Sequence, residues 1–162
     1  KETIRLLGNH PSIAAWVIFN EGWGQFQTED MTRIVRRLDP NRLIDQASGW
    51  FDQGGGDFSS LHNYFFKLFI RPERERASVL SEFGGYSYRE PGHCAKEKLY
   101  GYGICKNKKD HEKRFLERWS GVRNLIPQGL SASIYTQLTD VEEEVNGVFT
   151  YDREVRKIEP FQ

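Results

Sequence analysis

The chain has 162 residues, enough for one domain with a real hydrophobic core. Lysine plus arginine number 23 and so do aspartate plus glutamate, so no net charge favours nucleic acid or an anionic membrane as a partner. No run approaches the roughly 18 apolar residues of a membrane span, and the opening KETIRLLGN lacks the apolar core of a signal peptide.

In chain order, residues 1–9 read as the last turns of a helix with a glycine stop at Gly8. A first strand follows at about 13–19, a continuous apolar and β-branched run that suits a buried parallel strand. It breaks at Asn20-Glu21. A helix starts at Thr28, with Glu29 and Asp30 in its first turn, where they suit the helix dipole. Met31, Ile34, Val35 and Leu38 give it one apolar face, and Arg33, Arg36 and Arg37 read as solvated. Asp39-Pro40-Asn41 ends it. A second strand at 42–47 leads into Ser48-Gly49-Trp50, and Gly54-Gly55-Gly56 reads as a flexible loop without the lysine of a phosphate loop.

A third strand at 60–64 ends in His62, Asn63 and Tyr64. A polar connector at 68–76, with room for a helical turn, precedes a fourth strand at 78–82. Its end, SEFGG, repeats the pattern of the first: an apolar run, a glutamate, an aromatic and glycines. Residues 84–110 form a long Gly- and Tyr-rich loop, of a length that in compact domains is functional or mobile. Helical spacing returns at 111–125, and a fifth strand covers 130–138. The acidic stretch 140–144 reads as a solvated loop, since consecutive acids cannot all face one ion. Cys94 and Cys105, with His93 and His111, loosely suggest zinc but lack a close cysteine pair. They read as two ordinary thiols. No cofactor and no metal is called for.

Repeated β/α units predict an α/β fold with a parallel sheet, either open or part of a barrel. No glycine fingerprint supports a nucleotide-binding open sheet. Polar or aromatic side chains instead end every strand, the way barrel enzymes build a site.

HPSIAAWVIFNEGWG, DPNRLIDQASGW, SEFGG and SASIYTQLTDVEEEVNGVFTYDR together resemble the catalytic domain of glycoside hydrolase family 2, the family of β-galactosidases, β-glucuronidases and β-mannosidases. The resemblance spans nearly all of the chain. It implies a (β/α)8 TIM-barrel type fold, with residues 1–162 covering roughly strands 4–8, a half barrel forming the C-terminal part of the catalytic domain. It implies hydrolysis of terminal β-glycosidic bonds with retention, Glu21 resembling the general acid/base, Glu82 the nucleophile and Asn20 the residue on the sugar 2-hydroxyl. An aromatic under the sugar makes Tyr135 a further candidate. The expected partners are the carbohydrate, the N-terminal half of the barrel with its accessory domains, or a second copy of the chain. The start at Lys1 without an initiator Met fits a fragment or a processed product.

The chemistry stands beside the resemblance. Cleaving an acetal needs one acid to protonate the leaving oxygen and one carboxylate to capture the oxocarbenium-like carbon. His62 and Tyr64 either hydrogen-bond Glu82 or substrate, or are a packed strand-end pair. Trp23 and Trp50 are either sugar platforms or core. The opposing reading is a carbohydrate-binding or assembly fragment that keeps the glutamates without turnover.

Overall fold

A computed structural model describes residues 1–159. They divide into two compact units: residues 1–62, 70–81 and 128–132 make the first, and 63–69, 82–127 and 133 onward the second. The order of elements is α1 (Glu2–Leu7), β1 (Ala15–Asn20), α2 (Thr28–Leu38), β2 (Leu43–Ser48), β3 (Phe58–Asn63), β4 (Ala77–Gly84), α3 (Lys108–Leu125) and β5 (Leu130–Thr136), with a 3₁₀ turn at Ile126–Gln128. The fold is α/β, and the expected elements are present, with ends that coincide or move by up to three residues. The 68–76 connector carries no helical turn. Among the described residues, no helix is long and apolar enough to cross a membrane.

In the first unit, β1 and β2 pair in parallel, in register from Ala15 against Leu43 to Asn20 against Ser48. The core gathers Ile4, Phe19, Ile44, Ala47, Val79, Leu80 and Leu130. The α2 C-terminus is pinned where proline forbids its continuation: Asp39 accepts Trp16 Nε1 at 2.9 Å and Arg42 Nη1 at 2.7 Å. Arg42 also reaches back to the carbonyls of Gly8, His10 and Ile13. The basic face of α2 is not wholly solvated as expected. Arg36 pairs with Asp57 at 2.5 Å and donates to the Arg42 carbonyl, because the β2–β3 turn brings a carboxylate within its reach.

The strands fall into two sheets, β1-β2 and β3-β4-β5. Side chains link β2 to the turn and strand that follow: Asp57 Oδ2 takes the Ile44 N–H at 2.7 Å while the Asp57 N–H donates to the Ile44 carbonyl, and the Ser60 hydroxyl donates to Asp45 Oδ1 at 2.9 Å. The glycine loop is not loose: Gly55 N donates to Gln46 Oε1 at 3.1 Å, and a Cβ on Gly55 would fall 2.1 Å from that amide.

In the second unit, α3 starts three residues before the expected His111. Asn107 accepts the Asp110 N–H at 2.9 Å, and Asp110 accepts the Lys106 N–H, a reciprocal cap. The helix buries His111, Phe115, Val122 and Leu125. The 84–110 loop is stitched by bridges pairing Ser87 with Ile104 and Tyr100 with Glu144. The acidic stretch is not uniformly solvated either. Asp140 is buried because Lys157, fully buried itself, donates to it at 2.6 Å and to the carbonyls of Val145 and Tyr88.

Candidate active site

In the first unit the apolar run of β1 carries the chain to Asn20, which is exposed. The next residue, Glu21, sits at φ 54°, a left-handed conformation that costs a glutamate energy and marks sites under constraint. Its N–H donates to the Ser48 carbonyl at 3.0 Å, continuing the parallel ladder past the strand end. The Trp23 N–H closes the turn on the Asn20 carbonyl at 3.0 Å. Strand pairing therefore fixes the Glu21 backbone, and the turn projects its carboxyl off the strand's C-terminal end.

That carboxyl meets His62. Glu21 Oε1 lies 2.7 Å from His62 Nδ1, and His62 Nε2 lies 3.1 Å from the Ser48 hydroxyl. The His62 side chain is wholly covered, while Glu21 keeps 18% of its side chain open to solvent. The Trp50 ring leans on His62 at 6.3 Å. Gly49, at φ 83°, lets the imidazole press on the backbone: a Cβ there would fall 2.4 Å from the ring. Asp45 lies in the same buried layer, its carboxyl pushed up by burial and partly restored by hydrogen bonds from Ser60 and Ser48.

Trp23 is 79% exposed and Trp50 47%, so neither is core. In the sequence Ser48 is legible only as one polar strand end among several, and nothing in it gives that serine a role.

In the second unit Glu82 lies within β4, two residues before its end. The Tyr64 hydroxyl donates to Glu82 Oε2 and lies 3.2 Å from Thr136 Oγ1. Burial and the Glu82 charge hold the Tyr64 phenol well above its ordinary range, so it stays a donor. Its ring stacks on Tyr102 at 3.8 Å and an interplanar angle of 9°. Arg118 of α3 clamps the segment after β3, donating to the Tyr64 and Phe66 carbonyls at 2.8 and 2.6 Å. Tyr102, in the aperiodic loop, went unforeseen.

Tyr135 meets Phe83 and Phe115 edge-on at 5.7 and 4.7 Å, and its hydroxyl donates to the Asn146 carbonyl at 3.2 Å. Its ring closes over Gly84, at φ 101°, where a Cβ would fall 2.3 Å from it.

The loosely zinc-like string does not assemble. His93 pairs with Asp152 at 2.7 Å, His111 packs on Tyr88, and both cysteines are free thiols. His93, Asp152 and Glu154 hold their ligand-type atoms within 4.8 Å of one another at the surface.

A comparison with curated proteins returned no match. A family profile described as "Glycosyl hydrolases family 2, TIM barrel domain" matches residues 1–84, the part of the chain that holds Asn20-Glu21, the Ser48–His62 contact, Tyr64 and Glu82. Just over half of the chain carries that match, and the protein belongs to glycosyl hydrolases family 2.

Proposed function

We propose that the chain supplies both carboxylates of a retaining β-glycosidase, Glu82 as nucleophile and Glu21 as general acid/base. The observation that carries this reading is the contrast in how the two are held. Glu82 accepts from a phenol that burial keeps protonated, which suits a carboxylate that must stay ionised to attack. Glu21 sits on a strained strand-end turn against an imidazole, partly open to solvent, which suits a group that must exchange protons with substrate and water.

The steps balance as follows. Glu82 attacks the anomeric carbon while the Glu21 proton passes to the departing oxygen. The products are a glycosyl ester on Glu82 and the free aglycone. Glu21, now a carboxylate, takes a proton from water as that water's oxygen displaces Glu82, and the β configuration returns. This requires the two carboxyls to stand about 5–5.5 Å apart in the working enzyme. Asn20 is assigned to the sugar 2-hydroxyl, Trp23 and Trp50 to stacking on sugar faces, and Tyr135 to the floor of the sugar site. The chain is read as roughly strands four to eight of the barrel. An N-terminal half and accessory domains, or a second copy, complete the pocket.

Glu82→Ala is expected to abolish hydrolysis of every nitrophenyl glycoside, since no ester can form. Glu21→Ala is expected to spare substrates with good leaving groups, which need little protonation, and to slow poor ones by about 10²–10⁴-fold. Equal losses on both substrate types in Glu21→Ala overturn the acid role. The exposed Trp23 and Trp50 favour a second reading, carbohydrate binding without turnover. Saturable oligosaccharide binding by a wild-type chain that hydrolyses no nitrophenyl glycoside supports that reading instead.

A further inference from the structure

We propose that Ser48 and His62 are positioning residues for Glu21, clamping its backbone and its carboxyl from a single strand end. The inference rests on the role proposed for Glu21 and extends it to a serine that neither spacing nor motif singled out.

Ser48 reaches Glu21 by two routes. Its carbonyl accepts the Glu21 N–H at 3.0 Å, and its hydroxyl lies 3.1 Å from His62 Nε2, whose opposite nitrogen holds Glu21 Oε1 at 2.7 Å. One residue thus fixes the start and the end of the glutamate. Its neighbours complete the cradle for the imidazole. Gly49 has no side chain to push the ring away, and Trp50 leans against it. Beneath, the Ser60 hydroxyl donates to buried Asp45 and lies 3.4 Å from both Gly49 N and the Ala47 carbonyl, tying the end of β2 to β3.

An imidazole with no exposed side-chain surface, held at both nitrogens, has lost its freedom before substrate arrives. That is what a proton donor needs, because a misplacement of about 1 Å costs roughly 10²-fold in rate. Glu21 is otherwise a poor candidate for precision: it stands on a loop, and loops hold groups less exactly than strands do. The Ser48–His62 link passes the rigidity of β2 and β3 to it.

The test is the leaving-group dependence of turnover, for Ser48→Ala, His62→Asn and His62→Gln beside Glu21→Ala. Asparagine keeps a polar atom near the Nδ1 position, toward Glu21, and glutamine keeps one near Nε2, toward Ser48. Ser48→Ala and His62→Gln are expected to slow poor leaving groups by about 10–10²-fold more than good ones. His62→Asn is expected to recover part of that loss. A parallel measurement needs no turnover: side-chain ¹⁵N NMR of this chain, with His62 assigned by its own variants. It is expected to show one fixed His62 tautomer that becomes averaged in Ser48→Ala. Equal slowing of good and poor leaving groups in the Ser48 and His62 variants, while Glu21→Ala discriminates, overturns the positioning role alone. An unchanged His62 spectrum in Ser48→Ala overturns it too. Failure of Glu21→Ala to discriminate overturns the acid role, and the NMR result then judges the clamp separately.

Discussion

Acidification should weaken the fold through His111. The side chain is fully buried on α3, its ring 6.0 Å from that of Tyr88. Burial, helped by the facing ammonium of Lys157 and only partly offset by the Tyr86 backbone and Asp110, pushes its pKa from 6.5 down to about 4. The unfolded chain takes up a proton near pH 6.5, whereas the folded chain resists until about pH 4. Stability from this group is therefore intact above the unfolded value and is lost as pH falls between the two. Linkage sets the full loss at about 3 kcal/mol, of which about 2 kcal/mol is gone by about pH 5. The assay is urea denaturation at about pH 7.5 and about pH 5, for wild type and for His111→Leu, a swap of similar volume that cannot titrate. His93 works the other way: Asp152 raises its pKa, so its contribution is present below the unfolded value and lost as pH rises through the folded one. The difference between the two proteins cancels it. Wild type should lose about 2 kcal/mol more than His111→Leu over this range. Parallel losses in the two proteins refute the reasoning.

Three further outcomes are expected. Lys157→Met strips Asp140 of its buried partner and should cost about 3–5 kcal/mol by denaturant titration, and adding Asp140→Leu should restore most of it; no recovery in the double variant contradicts the ion-pair account. Tyr64→Phe keeps the stack on Tyr102 but removes the hydrogen bond to Glu82, and under the proposed mechanism should lower turnover about 10–100-fold; unchanged turnover refutes its role. Gly49→Ala should cost at least about 1–2 kcal/mol for its left-handed backbone, before any displacement of the His62 ring; a variant as stable as wild type by thermal melting contradicts that geometry.

What the sequence made legible follows from what pattern can encode. The run through Val17, Ile18 and Phe19 marks β1 because β-branched and aromatic residues suit a strand, although of the three only Phe19 is buried and Val17 is exposed, so the expected buried strand is half-covered; its abrupt end exposes Glu21 to notice. The spacing of Met31, Ile34, Val35 and Leu38 marks α2 for a similar reason. Both glutamates and both polar strand ends, His62 and Tyr64, were therefore visible. Polar residues buried by satisfying one another were not. Asp45, Ser48, Ser59 and Ser60 are buried on β2 and β3, where a pattern of apolar against polar assigns them to the surface. What buries them is hydrogen bonding between residues more than ten positions apart, which no local window sees. The pairing of Lys157 with Asp140, which reads in the sequence as part of a solvated loop, escaped notice for the same reason, at a separation of 17.

The glycines carry the one signal that reaches across that gap. Gly49 and Gly84 each follow a strand's last polar group by one or two residues, and each lies against an aromatic ring that a Cβ would strike, His62 in one case and Tyr135 in the other. A glycine directly after a polar strand end is thus legible as a place where a ring from elsewhere presses on the backbone. Its composition alone does not say which ring. At Gly49 the visitor is the imidazole that holds Glu21, so the small residue beside the strand end and the orientation of the proposed acid are two consequences of one packing requirement.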